Sequence, residues 1–260
     1  MSEKSIQEAA DYIGNANKVL FITGAGISVD SDLPTYRGVG GLYDGKMTPD
    51  GIPIQEVMSG QTLRQNPALT WKYWLERVTS VHDKKPNRGH EIIAELQKRK
   101  RGSWVLTQNV DGLHADAGCD KNLIEIHGNA NRLLCTKCDA HFEDRKAILC
   151  SDAVDPQNPP KCPICEAVLR LDVILFGEQL ADENISMLNN LMFEGIEAVV
   201  SIGTSSRFEY IQAPMKIAYR EKVPTIEINT EETDVSKFAR CRIELGCTEA
   251  LERIRKAMKI

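Results

Sequence analysis

A chain of 260 residues, 42% hydrophobic and 27% charged, has an ordinary globular balance, which excludes wholesale disorder and collagen-like or low-complexity architectures. The length fits one large or two modest domains, no apolar run reaches the roughly 18 residues of a membrane span, and the polar segment 1–18 carries no secretory h-region, so the expected location is the cytoplasm. A net charge of −5 argues against a broad, sequence-independent grip on nucleic acid, which needs a basic surface.

In chain order, Ile6, Ala9, Ala10 and Ile13 recur at helical spacing over residues 3–16. The run from Lys18 to Thr23 is almost continuously apolar and ends in glycines, which predicts a buried parallel strand. Residues 104–107, 198–202 and 225–228 repeat that pattern, with 123–126 and 241–245 as shorter candidates. Helices are expected over 67–81, 89–100, 181–193, 211–221 and 248–258. The first of them opens at Pro67, a favoured residue at a helix start. Strands alternating with helices predict an α/β doubly wound parallel sheet. The basic run Lys98-Arg99-Lys100-Arg101 is expected to be the solvated C-terminal end of a helix; a docking patch for an acidic partner is the alternative.

Two segments break the alternation. Residues 38–66 are rich in Gly, Asp and Pro, and 128–172 hold a cysteine cluster and a Pro-rich loop. Both are expected to be insertions forming a smaller lobe. The expected division is a Rossmann-type lobe from 1–37, 82–127 and 173–260, with a helical insertion at 38–81 and a metal-binding module at 128–172.

Thr23-Gly24-Ala25-Gly26-Ile27-Ser28 follows the first strand. Glycines at that place allow a tight turn and bring backbone N–H groups close to a pyrophosphate. The third glycine of the dehydrogenase fingerprint is replaced by Val29, so a plain strand-to-helix turn stays open. Thr107-Gln108-Asn109-Val110-Asp111-Gly112-Leu113-His114 closes another strand, at the sheet end where ligands bind. Its amide and acid side chains suit recognition of an amide or a ribose, or else helix capping. His127-Gly128 ends a further apolar run. A neutral imidazole there accepts a proton near pH 7, or is a hydrogen-bonded structural histidine.

Of eight cysteines, Cys135-x-x-Cys138 and Cys162-x-x-Cys165 form two knuckles. Such pairs place four thiolates on one zinc and leave no open coordination position, so the metal is expected to be structural. Cys150 and His141 lie between the knuckles and break the paired spacing. Cys119 and Cys241 have no assigned task.

These motifs occur in one order with Leu33-Pro34-Thr35-Tyr36-Arg37-Gly38, Phe176-Gly177-Glu178 and Gly203-Thr204-Ser205. Over nearly its whole length the chain resembles the sirtuins, in a prokaryotic-type form. That resemblance implies an NAD-dependent protein lysine deacylase, with NAD as cosubstrate, one structural zinc, and acyl-lysine proteins or peptides as substrates. By motif, it implies NAD contacts from Gly24, Ala25, Gly26, Thr35, Tyr36 and Arg37. Ala25, Gly26 and Arg37 would lie on the phosphates and adjoining ribose, with the Tyr36 ring over the ribose centre. It implies a ribose contact from Gln108 and a nicotinamide pocket from Asn109, Val110 and Asp111, with Asn109 also catalytic. His127 would be the general base. Gly203, Thr204, Ser205 and Asn229 would hold the phosphate and adenosine-ribose end, with Cys247 near the adenine. Ile174, Phe176, Gly177 and Glu178 would form an edge to which the peptide adds as a strand. The implied chemistry releases nicotinamide, moves the acyl group to ADP-ribose and frees the lysine. Transfer of ADP-ribose to protein, or NAD hydrolysis, is the alternative on the same scaffold, and retention of His127 argues for deacylation.

The chain also departs from the family pattern. Asp32 stands where Gly is usual, Tyr36 where Phe is usual, and Asp172 where Pro is common. Ser206-Arg207-Phe208-Glu209-Tyr210 replaces an apolar, Pro-containing segment beside the peptide groove. The Tyr-x-x-Arg pair of desuccinylating members aligns with Trp74 and Arg77, and Tyr73 is expected to point elsewhere. An acetyl or other uncharged acyl group is therefore expected.

Overall fold

The computed structural model describes residues 3–35, 47–81, 84–119, 121–143 and 155–259, with the side chains of 76–81 outside that description. In the first part of the chain, α1 (Glu3–Asn15) leads to β1 (Val19–Thr23), a 3-10 turn (Ala25–Ser31), α2 (Ile54–Val57), α3 (Gly60–Gln65), α4 (Pro67–Val81) and α5 (Arg88–Arg99). Next come β2 (Trp104–Thr107), α6 (Leu113–Asp116), β3 (Leu123–Glu125), β4 (Gly128–Cys135), β5 (His141–Phe142) and β6 (Leu169–Val173). The last part holds α7 (Asp182–Phe193), β7 (Ala198–Ile202), α8 (Glu209–Arg220), β8 (Thr225–Ile228), β9 (Cys241–Ile243) and α9 (Cys247–Ala257).

Six strands form one sheet in the order β3-β2-β1-β7-β8-β9, and every pairing in it is parallel. The expected doubly wound sheet is therefore present. β1 explains why its sequence reads as one apolar run. Val19 and Phe21 pack on one face with α1, α5 and α9, while Leu20 and Ile22 pack on the other with α7 and α8. All four are fully buried, because side chains alternate faces and both faces are covered. The strand order reverses between β1 and β7, and ligands of open α/β sheets bind beyond the strand ends at such a point.

The region around the cysteines forms a second, antiparallel sheet, β5-β4-β6. It shares an apolar cluster with the segment before α5: Ile54, Val57, Leu63, Trp71 and Trp74 pack with Leu133, Leu169, Leu171 and Leu175. The Trp71 indole N–H donates to the Leu169 carbonyl at 2.9 Å. Within the expected helical insertion, where no individual helix was placed before Pro67, the chain forms α2 and α3, and Ser59 caps α3 by accepting from the Thr62 N–H.

One local expectation changes, and one departure from the family pattern is accommodated. Lys100 is not simply solvated: its Nζ donates to the carbonyls of Gly14 and Ala16 at 2.9 and 2.5 Å. It thereby satisfies carbonyls left over at the end of α1. Asp32 closes the 3-10 turn in the left-handed region, with φ 57°, a conformation Asp tolerates better than most residues.

Candidate active site

The turns after β1 and β7 press together at the reversal point. The Gly24 N–H donates to the Ile202 carbonyl at 3.1 Å, and the Gly26 N–H to the Gly203 carbonyl at 2.8 Å. A Cβ on Gly26 would lie 2.6 Å from the Gly203 Cα, so this approach of backbone to backbone excludes any side chain. The resulting cleft, about 440 Å³, is lined by Gly24, Ala25, Gly26, Ser28, Thr35, Gln108, Asn109, Val110, Asp111, His127, Gly203, Thr204 and Ser205, among others. A cavity of that size suits a small-molecule ligand.

The polar run after β2 is held from behind. Asn109 is buried and donates from Nδ2 to the Gly24 carbonyl at 3.1 Å and the Ser28 hydroxyl at 3.2 Å. Ser28 in turn donates to Asp111 Oδ2 at 2.8 Å, and the Leu113 N–H donates to Oδ1 at 3.0 Å. Burial raises the Asp111 carboxyl pKa, against these two donors. Asn131 Nδ2 reaches the Asp111 carbonyl at 3.2 Å. Gln108 donates to the Thr204 hydroxyl at 2.7 Å and so joins the β2 and β7 turns. His114, at the end of the same run, is structural. It is buried, bonded through Nε2 to Thr23 Oγ1 at 2.9 Å, and burial holds its pKa well below the ordinary value.

His127 sits in the cleft wall with both ring nitrogens engaged. Nδ1 lies 3.0 Å from the Gln108 carbonyl oxygen, and Nε2 lies 2.7 Å from the Tyr210 hydroxyl. A carbonyl only accepts, so Nδ1 carries the proton and Nε2 keeps its lone pair in the neutral ring. Burial pushes the His127 pKa below the ordinary histidine value, partly opposed by the Gln108 carbonyl. The following residue must be glycine: φ is 82° at Gly128, and a Cβ there would meet the Asp172 carbonyl oxygen at 2.1 Å.

Much of the remaining wall is apolar. Met58, Trp74, Leu171, Val173, Ile174, Leu175, Phe176 and Leu180 line it with Phe208 and Tyr210. Tyr73 points elsewhere, its hydroxyl on Asp50 Oδ2 at 2.7 Å. The expected peptide edge is partly committed. The Phe176 N–H donates to the Met58 carbonyl, and the Phe176 carbonyl accepts from Gly60, at 2.9 and 3.1 Å, so the Phe176 N–H is committed within the chain. Glu178 is an anchor: Arg170 grips its carboxylate with two bonds of 2.6 and 2.7 Å, and the Leu175 N–H adds a third at 2.9 Å. Burial works against ionisation of Glu178, but Arg170 holds its pKa below the usual carboxylate range.

Two of the named residues lie off the cleft wall. Asn229 donates from Nδ2 to the Thr204 carbonyl at 3.1 Å. Cys247 is buried at the start of α9, its sulfur packed behind Gly203. Tyr36, Arg37, the side chain of Arg77 and Cys150 lie outside the described residues. Ser28, Asn131 and the Tyr210 hydroxyl join the site without having been assigned a role from sequence. Ser28 stands inside the glycine motif, and Tyr210 inside a segment marked only as unusual.

The sulfurs of Cys135, Cys138, Cys162 and Cys165 all lie within 4.8 Å of one another. The Cys135–Cys165 and Cys138–Cys162 separations are 3.5 and 3.7 Å. Four thiolates on a tetrahedral zinc, with Zn–S of about 2.3 Å, stand about 3.8 Å apart, so the cluster fits one zinc. Backbone N–H groups of Lys137 and Cys138 point at the Cys135 sulfur, each at 3.4 Å, and favour its thiolate form. The cluster lies at the edge of the second sheet, with Cys135 ending β4 and the others in adjoining turns, and none of its cysteines lines the cleft, which suits a structural metal.

A family model described as the Sir2 family matches residues 24–209. The chain is 44% identical over 237 residues to a Pseudomonas aeruginosa protein named NAD-dependent protein deacylase 2, covering 91% of this chain and 90% of that one. It is 42% identical to a protein of the same name from Pseudomonas syringae pv. tomato, over 95% and 99% of the two chains. Among solved structures, a Sir2 homologue bound to NAD is similar at a TM-score of 0.84 and 29% identity, over 100% of this chain and 94% of that one. A Sir2 structure with a deacetylated p53 peptide and 3′-O-acetyl ADP-ribose is similar at a TM-score of 0.82 and 25% identity, over 98% of each chain.

Proposed function

Because the chain belongs to the Sir2 family and is an NAD-dependent protein deacylase, we propose that His127 is the general base of its cleft, with NAD on the glycine turns and acyl-lysine against the apolar wall. NAD is consumed as a substrate: its nicotinamide leaves, the acyl group passes to ADP-ribose, and lysine is freed. The observation that carries this reading is the state of His127. The Gln108 carbonyl fixes the proton on Nδ1, and Nε2 is left as the basic atom in a cleft shared with Gly24–Gly26 and Gly203–Ser205. Asn109 and Asp111, locked by Ser28, form the nicotinamide end, Gln108 serves a ribose hydroxyl, and Asn229 and Cys247 support the Gly203–Ser205 turn from behind.

A base must be neutral to act, and its acid limb follows its own pKa. Since burial lowers the His127 pKa, activity persists on acidification until the pH falls through a value below 6.5, the ordinary histidine value. The expected kcat/KM profile has its acid limb below that value. A limb above it would contradict a buried neutral His127 as the base.

The wall supports an uncharged acyl group. Trp74 lines it, the Tyr73 hydroxyl is engaged by Asp50, and no Lys or Arg lines the cleft among the described residues. A panel of acetyl-, butyryl- and succinyl-lysine peptides, with and without NAD, tests this by mass. The expected result is NAD-dependent loss of acetyl with little loss of succinyl. Preferential desuccinylation would overturn the acyl assignment, and acyl loss without NAD would overturn the reaction.

A further inference from the structure

We propose that Tyr210 is a second proton-carrying residue of the deacylation step, standing between His127 and the hydroxyl that His127 deprotonates; this rests on His127 as the base. In the neutral His127 ring the proton is on Nδ1, facing the Gln108 carbonyl, so Nε2 can only accept. Tyr210 Oη is 2.7 Å from Nε2 and is therefore the donor.

The phenol is not poised to swing aside. Its ring stacks on Phe208 at 5.3 Å and 12°, and both rings meet His127 edge-on, at 5.7 and 6.0 Å. Tyr210 belongs to the first turn of α8, which is anchored by the buried side chains of Ile211, Met215 and Ala218. Phe208 and Tyr210 also pack against the apolar cluster on that face of the large sheet. His127 and Tyr210 both line the cleft, and the one lone pair of Nε2 already accepts from Oη, so with the ring in place a substrate hydroxyl reaches Nε2 through Oη.

A phenol oxygen accepts and donates at once, which allows the transfer without moving the ring. The ribose O–H bond breaks and its proton goes to Oη. The proton already on Oη goes to Nε2. Tyr210 ends as a neutral phenol, His127 as imidazolium, and the ribose oxygen keeps the electron pair with which it attacks the acyl carbon. When the amine leaves, the imidazolium returns its proton along the same path.

Tyr210→Phe keeps the stacked ring and removes the hydroxyl. Two activities separate the roles. Exchange of labelled nicotinamide into NAD, in the presence of acyl-peptide, reports the step before His127 acts; release of free lysine reports the whole reaction. The expected result is a loss of deacylation kcat of about tenfold or more, with exchange within about twofold of wild type. Added to His127→Ala, the change produces no further loss, because both residues serve one transfer. Unchanged or faster deacylation by Tyr210→Phe would overturn the relay and make the phenol a plug that substrate displaces. Equal losses in both activities would reduce Tyr210 to packing. Full deacylation by His127→Ala alone would instead remove the base on which the relay depends.

Discussion

His127→Ala is expected to lower deacylation by about 100-fold to 10,000-fold, the usual range for a lost general base, while the protein remains folded. The imidazole offers two functions that alanine cannot. Its Nδ1–H satisfies the Gln108 carbonyl, which fixes the tautomer, and its Nε2 lone pair is the basic atom of the cleft. Desolvation keeps that ring neutral, so little folding energy depends on its charge. The neighbouring Gly128 backbone, held against β6 through its pairing with Val173, is untouched by the change. Loss of turnover is therefore expected with a thermal midpoint close to wild type, read by steady-state kinetics and a melting curve on the same sample. Nicotinamide exchange should survive, because the base acts after nicotinamide has left. Full lysine release by the variant would exclude His127 as the base.

The second large effect is expected from the metal. Removing zinc with a chelator, or replacing Cys162 with Ser, should abolish deacylation although no cysteine of the cluster touches the cleft. Cys135 and Cys162 are fully buried within the same apolar cluster as Trp71, Leu169 and Leu171. Metal binding to such a site is folding free energy, roughly 10–16 kcal/mol for zinc in isolated finger peptides. Without it, four sulfurs are crowded together with no cation between them. Leu171, Val173, Leu175 and Phe176, which form the apolar wall, would lose their support. The parallel sheet rests on its own two clusters and should persist. Hydrogen exchange is expected to rise over residues 54–75, 128–143 and 155–176 and to stay low over β1, β2 and β7. Zinc analysis of the native protein should give one metal per chain. A zinc-free protein with full activity and unchanged exchange would contradict this role.

The large sheet was legible because burial on both faces forces strands such as β1 to be nearly continuously apolar, here over Val19–Ile22. The zinc knuckles were legible because ligand spacing is local in sequence. The α2 and α3 helices were not. They are four and six residues long, too short for a periodic signal, and their stability comes from packing on the cysteine sheet. Lys100 read as a solvated helix end because its partners, the carbonyls of Gly14 and Ala16, are far away in the sequence. The glycine turn, the Gln108–Asp111 run and His127 could be named as site residues from motif alone. Their couplings could not. Gln108 meets Thr204, Ser28 meets Asp111, and His127 meets Tyr210, each across more than eighty residues of chain. The unusual sequence of 206–210 marked a difference, but only the path of the backbone into α8 shows which ring reaches the histidine. Glu178 and Phe176, expected to face a peptide, line the cleft; their ties to Arg170 and to the Met58–Gly60 segment are long-range couplings of the same kind.

Following an isotopically labelled acetyl group on a lysine peptide, with the zinc-loaded protein and NAD, is the most direct measurement of the proposed chemistry. The expected result is the label on ADP-ribose, with one nicotinamide released for each lysine freed. Label released only as free acetate with NAD intact, or ADP-ribose attached to the peptide with its acetyl group retained, would contradict NAD-coupled deacylation in this cleft.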